Sequence, residues 1–224
     1  MNNNKHQSKA SDKAGCFWIL GAGRFGRIAI ERIRRHIPGA AITVIDKKPF
    51  EINGDGINVI TTDAIQWLCE NLHQHAPVDL ILPAVPIHVA VAWLRLSFKG
   101  DMLPILISDE RLAQMPNAMR GNTGQVYVSH ADFVCPDNCS EPKDRCTITG
   151  KPRPTDLFRL LADLAFDEIL PIIIRSHQLL PGVGGIEPDD LLAALDQLYQ
   201  MRGRQVMIAT ACRCHGVVAF LEIK

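Results

Sequence analysis

No run of apolar residues in this chain approaches the ~20 that a helix needs to cross a bilayer. Pro83, Pro86, Arg95 and Lys99 interrupt its most hydrophobic stretch. An apolar leader is missing as well: Met1 to Lys13 is polar and rich in Asn and Lys, which argues against a signal peptide and for a loose tail. Neither sign of charge is in excess, with 24 Lys and Arg against 24 Asp and Glu, so no overall field favours nucleic acid or an anionic membrane. Any charged ligand must then be held by local groups. These absences lead us to expect a cytoplasmic protein with no membrane insertion and no nucleic-acid partner. With 224 residues, 47% of them hydrophobic, the chain can bury a substantial core, and global disorder is excluded.

Cys16 to Leu20 is short and apolar and suits a buried parallel strand. It runs directly into Gly21-Ala22-Gly23-Arg24-Phe25-Gly26. Ala29, Ile30, Ile33 and Ile37 then fall on one helical face, with Arg27, Glu31, Arg34 and Arg35 opposite and Pro38-Gly39 as the stop. Ala41 to Ile45 reads as a second strand closed by Asp46, Ile57 to Ile60 as a third, and Val78 to Leu82 as a fourth. Helices are expected over Ala64 to His73 and Pro86 to Leu96, and a fifth strand over Leu103 to Ile107. This alternation predicts an α/β fold with a Rossmann-like parallel sheet and helices on both faces, over residues 14–110 after a tail over 1–13.

Residues 111–224 read as a cysteine-rich α/β region. Val126 to Val134 is expected as a strand and Pro136 to Pro154 as an irregular loop. A helix over Thr155 to Phe166, a strand over Ile169 to Arg175, a glycine-rich turn or lid over Pro181 to Gly185 and a helix over Pro188 to Tyr199 follow. Gln205 to Ala211 and Gly216 to Ile223 look like a hairpin with Cys212-Arg213-Cys214-His215 at its tip.

Each glycine of the first turn has its own reason: Gly21 permits the tight turn, Gly23 lets a pyrophosphate approach the backbone, and Gly26 lets helix and strand pack closely. Free N–H groups at the helix start meet the phosphate charge, with Arg24 and Phe25 beside them. Asp46, about 20 residues beyond the last glycine, is assigned to the ribose hydroxyls, where a carboxylate favours NAD(H) over NADP. Lys47 and Lys48 work against that preference.

The phrases Ile19-Leu20-Gly21-Ala22-Gly23-Arg24-Phe25-Gly26, Thr43-Val44-Ile45-Asp46 and Thr62-Asp63-Ala64 resemble the TrkA-N domain, also called the RCK nucleotide-binding domain. The likeness covers Gly15 to Leu96. It departs at Thr62, where that family has glycine, and at Leu82-Pro83-Ala84-Val85-Pro86. The resemblance implies a cytoplasmic module that binds NAD(H) or another adenine nucleotide and regulates a membrane transporter, by analogy one for potassium.

Of seven cysteines, Cys135, Cys139, Cys146, Cys212 and Cys214 fall in the second half. In a reducing compartment, grouped thiols point to metal rather than disulfides. A tetrahedral site of Cys135, Cys139, Cys146 and Cys214 is expected to hold zinc or an iron–sulfur cluster, with Cys212, His215 or His177 as substitutes for the last. Cys16 and Cys69 read as core residues. His88, at the carboxyl edge of the fourth strand, is a weaker candidate acid or base, and Ser176-His177 lacks an acid partner for a hydrolytic triad. No catalytic residue is assigned. The function expected is an NAD(H)-binding regulator or redox sensor; an NAD-dependent oxidoreductase and a metal-stapled homo-oligomer stay open.

Overall fold

Five residues of β1 (Cys16–Leu20) lie between two parallel neighbours, β2 (Ala41–Asp46) and β4 (Leu80–Pro83), and β3 (Ile57–Thr61) continues the sheet beyond β2. The computed structural model describes residues 15–224 apart from Asn53, Pro154, Ala165 and Asp167, so the tail expected over Met1 to Lys13 lies outside the described residues. Helix α1 (Arg24–His36) joins β1 to β2 and buries Gly26, Ala29, Ile30 and Ile33, as its apolar spacing predicts. Arg34, Arg35 and His36 occupy its last turn, where cations suit the negative end of the helix dipole. Helix α2 (Ala64–Asn71) starts at Asp63, whose carboxylate accepts the Ile65 and Gln66 amides at 2.8 Å each. Helix α3 (Val89–Ser97) follows β4.

The next elements are β5 (Met102–Pro104), α4 (Asp109–Leu112), β6 (Met119–Arg120) and β7 (Val126–Ser129). Helix α5 (Leu157–Asp163), β8 (Ile169–Leu180), β9 (Val183–Ile186), α6 (Pro188–Gln200), β10 (Gln205–Ala211) and β11 (His215–Ile223) complete the fold. The strands form one mixed sheet in the order β3-β2-β1-β4-β9-β8-β10-β11-β7-β6, with β5 on β11.

Three expectations change. The segment over Leu103 to Ile107 does not extend the parallel sheet: Met102 to Pro104 pairs antiparallel with Ile223 to Leu221. The free edge of β4 is already filled by β9, through Ile81 and Ile186. The stretch over Val126 to Val134 leaves the sheet at Ser129, where Pro116 and Ala131 capture the next polar groups. Finally, Pro181 to Gly185 is not a lid. Only Pro181-Gly182 turns, and Val183–Ile186 is the strand that joins the two parts of the sheet.

Alternate residues of the strands serve opposite faces. Trp18, Leu20, Ile81, Ile172, Ile186, Val206 and Ile208 pack with α2, α3 and α6. On the other face, Ile19, Ile42, Val44 and Leu82 meet α1, while Met207, Ala209 and Phe220 meet Leu157 and Leu161 of α5. The result is a sheet covered on both sides, and no helix among the described residues is long and apolar enough to cross a membrane.

Leu94, fully buried on α3, has no room to be replaced by solvent. Leu94→Ala should lower the unfolding free energy by roughly 2–5 kcal/mol in urea titrations without changing the far-ultraviolet spectrum of the folded protein.

Candidate functional site

The directions of the strands decide where the loops gather. Strands β1 to β4 are parallel; β9 reverses, so β8 runs with β4, and β10 runs with β8. Strand β11 reverses again and β7 runs with β10. The carboxyl ends of β1, β2, β4, β7, β8 and β10 therefore share one edge, the side on which open α/β sheets hold ligands. On it lie the glycine turn, Asp46, the Pro181-Gly182 tip, the Cys212 to Cys214 tip and the start of the cysteine loop. The opposite placement of α1 and of α2 and α3 makes the β1–β4 gap a switch point.

Each glycine of the turn has distinct surroundings. Gly21 holds φ at +110°, and a Cβ there would approach the Ala84 carbonyl oxygen to 2.9 Å. A Cβ on Gly26 would stand 2.0 Å from the Gly21 carbonyl oxygen, so α1 and the turn touch only because the side chain is missing. Among the described residues, nothing lies within 4 Å of a Cβ position on Gly23, which faces open space. It precedes α1 as its cap without a side-chain hydrogen bond, and the first turn of the helix carries no acid.

Asp46 accepts the Ala22 amide at 2.7 Å through Oδ2 and the Lys48 amide at 2.8 Å through Oδ1. Burial by itself would raise this carboxyl, but the two amides and the Lys48 charge together hold it below the usual range. Lys47 is turned to Asp63, with Nζ 2.7 Å from Oδ2. One of the two cations next to Asp46 is thus already paired.

Beside the head of α1 opens a cavity of about 820 Å³, lined by Arg24, Phe25 and Ile28 on one side and by Cys135, Cys139, Cys146, Cys212, Cys214, His130 and His215 on others. The structure therefore brings the five C-terminal cysteines around one space. It does not draw them into a finished ligand set: among the described residues, no three bring their sulfurs within 4.8 Å of one another. A tetrahedral centre with bonds of about 2.3 Å needs sulfurs about 3.8 Å apart, so the loop would have to close on an ion.

The thiols differ in environment. Burial pushes Cys135 up, and the neighbouring Cys139 and Cys146 thiols add to the effect. Cys214 is raised by burial and by Cys139 and Glu141, against the Arg153 guanidinium, whose Nη2 lies 2.9 Å from the sulfur. Hydrogen bonds from the Thr149 amide and hydroxyl and the Ile148 amide hold Cys146 below the ordinary thiol range. Cys212, pushed up to about 12 by burial and Glu141, accepts the Cys214 and His215 amides at 3.5 and 3.4 Å. Cys139 accepts the Glu141 amide at 3.4 Å. Soft donors with amide N–H groups aimed at sulfur suit a thiophilic ion.

Of the substitutes, His215 lines the cavity, whereas His177 lies elsewhere, with its Nε2 3.5 Å from Glu187 and 3.7 Å from Asp190. These three form a compact group whose ligand atoms lie within 4.8 Å of one another. Cys69 sits against the Trp93 carbonyl and Ser97, away from the cavity. Sequence reasoning missed Asp137, Arg32, Arg153, Glu141 and His130. Asp137 pairs with Arg24, and Arg32 Nη1 binds the Asp137 carbonyl at 2.7 Å. A lone Asp in an irregular loop, 113 residues from its partner, carries no periodic signal.

His88, at the start of α3, is buried, with Nε2 3.1 Å from Thr210 Oγ1 and, among the described residues, no partner for Nδ1. Burial pushes its pKa down to about 3. An unfolded chain takes up this proton near pH ~6.5. Stability is therefore complete above that pH and is lost as pH falls toward about 3, where the native ring finally charges. Between pH 7 and pH 5 the wild type should lose about 2 kcal/mol more unfolding free energy than His88→Gln. Equal losses in urea titrations of the two proteins would contradict the neutral buried ring.

No solved structure matches the chain. A protein of Archaeoglobus fulgidus described as "Uncharacterized protein" is 28% identical to it over 225 residues, covering 91% of this chain and 98% of its own length. A family model described as "Uncharacterized protein, C-terminal domain" matches residues 64–224, which takes in the cysteine loop and the hairpin tip and leaves the glycine turn outside. With most of its length inside that match, the chain belongs to the AF_1314_C family.

Proposed function

We propose that the protein binds NAD(H) at the glycine turn and holds a thiolate-ligated metal in the adjoining cavity, acting as a regulator or sensor of redox state. The observation that carries the reading is the division of labour in the turn. Gly21 and Gly26 are glycines because their surroundings forbid a Cβ, while Gly23 has no such crowding and leaves room in front of the helix amides. Asp46 retains lone pairs on both oxygens beyond the two amides it accepts, enough to take ribose hydroxyl protons. The pairing of Lys47 with Asp63 removes one attraction for a 2′-phosphate, which supports NAD(H) over NADP.

The likeness to TrkA-N domains supports the same ligand, and a transporter as the regulated partner follows from it by analogy. For the metal, the ligands are Cys135, Cys139, Cys146 and Cys214. When bound, zinc would clasp the loop to the β10–β11 tip, whereas an iron–sulfur cluster would supply one-electron chemistry. The shared cavity favours a second reading, an NAD-dependent oxidoreductase, since Arg24 and Phe25 line the same space as the thiols.

Calorimetry should show NAD(H) binding more tightly than NADP, with the preference reduced about ten-fold or more by Asp46→Asn. Binding of NADP at least as tight as NAD by the wild type would remove the role of Asp46. Metal analysis after anaerobic purification should return zinc without colour or iron with absorption near ~400 nm; the absence of both would remove the metal centre.

A further inference from the structure

The head of α1 already meets an anion. The Asp137 carboxylate, from the loop between Cys135 and Cys139, pairs with Arg24 of the glycine turn. The same loop is tied to α1 a second time, through Arg32 Nη1, which reaches the Asp137 carbonyl at 2.7 Å and the Pro181 carbonyl at 2.5 Å. It is tied to the β8–β9 tip through the Cys139 carbonyl, which accepts Gly182 N at 2.9 Å and Gln178 Nε2 at 2.6 Å. A Cβ on Gly182 would fall 1.6 Å from the Asp137 carbonyl oxygen, so the two backbones touch. The loop thus cannot swing freely, and its contact with Arg24 is made from a held position.

We propose that Asp137 competes with the diphosphate of the dinucleotide for Arg24, so that nucleotide binding and metal binding by the flanking Cys135 and Cys139 oppose one another. This inference rests on the reading above and adds its regulation. A diphosphate seated before Gly23 brings negative charge to the same guanidinium, and two anions at one arginine repel. The carboxylate must leave the guanidinium, and because its main chain is held by Arg32 and Gly182, any displacement beyond side-chain rotation strains the short segment that spaces Cys135 from Cys139. A metal that closes the loop on those two thiols stiffens that segment, so the carboxylate gives up Arg24 less readily and the nucleotide binds more weakly. By linkage, the nucleotide weakens the metal by the same factor.

The exposed character of the Arg24 side chain sets the size of the effect at about three- to five-fold. NADH should be titrated calorimetrically into the full chain, once stripped of metal and once loaded with Zn²⁺, for the wild type, Asp137→Asn and Arg24→Gln. The wild type should bind NADH three- to five-fold more weakly when zinc is present, and added NADH should speed zinc transfer to a chromophoric chelator. Asp137→Asn should bind NADH equally with and without zinc, and more tightly than the zinc-loaded wild type. Arg24→Gln should also lose the difference, while binding NADH more weakly. Wild-type affinity indifferent to zinc, or a difference that survives in Asp137→Asn, overturns the coupling and leaves the nucleotide site standing. If zinc does not bind, the coupling also fails and the nucleotide site stands. If no form binds NADH, the nucleotide reading fails first and the coupling with it.

Discussion

Strand β9 can lie against β4 because Gly185 has no side chain. A Cβ there would meet Leu80 Cγ at 2.6 Å and the Ile81 carbonyl oxygen at 2.7 Å. That close approach lets the N-terminal parallel strands continue into β8 and β10 instead of ending at a free edge. Because β9 is antiparallel to both neighbours, β4 and β8 point the same way. The glycine turn and the cysteine-bearing tips then face the same edge. A parallel β9 would have turned β8 and β10 over and sent the two groups to opposite ends of the sheet.

The electrostatics of that edge follow from helix and loop positions more than from net charge. The chain is neutral overall, yet the head of α1 presents free amides and Arg24, while the far side of the cavity presents thiols, Glu141 and Arg153. The hairpin tip is itself anchored. Arg213 reaches Asp156 at 2.7 Å ahead of α5 and passes its carbonyl to the Leu157 amide at 2.9 Å. Such bonds explain why the residues between Cys212 and Cys214 hold a defined turn at the surface. The thiols around them are part buried, and for Cys135, Cys212 and Cys214 burial favours a proton or a soft metal ion over a bare thiolate.

Local pattern made the first four strands, α1 and the β10–β11 hairpin legible. Apolar residues at period 3.6 on α1 and a turn between two apolar runs at Cys212 to His215 are each contained within one continuous stretch of chain, Arg24–His36 and 205–223. The strand at Val183–Ile186 was not legible for the opposite reason. Two adjacent glycines read as a turn when neighbours in space are unknown, and only the packing of Leu80 and Ile81 shows that they are a strand making room for another. Likewise Leu103 looked like a further parallel strand, and the competition of β9 for the edge of β4 could not be seen from its own residues.

The sequence by itself determined the glycine turn, the acid at the end of β2 and a grouping of thiols in the second half, because backbone freedom, side-chain charge and metal-ligand chemistry belong to residue types and short spacings. Only the tertiary structure decided that Arg24 and Phe25 of the turn border one cavity with the thiols, that Asp137 meets Arg24 and that His177 belongs with Glu187 and Asp190 instead of the thiols. Those contacts join residues far apart in the chain. Their existence depends on strand order and direction, which are settled by the packing of the whole sheet and not by any one segment of it.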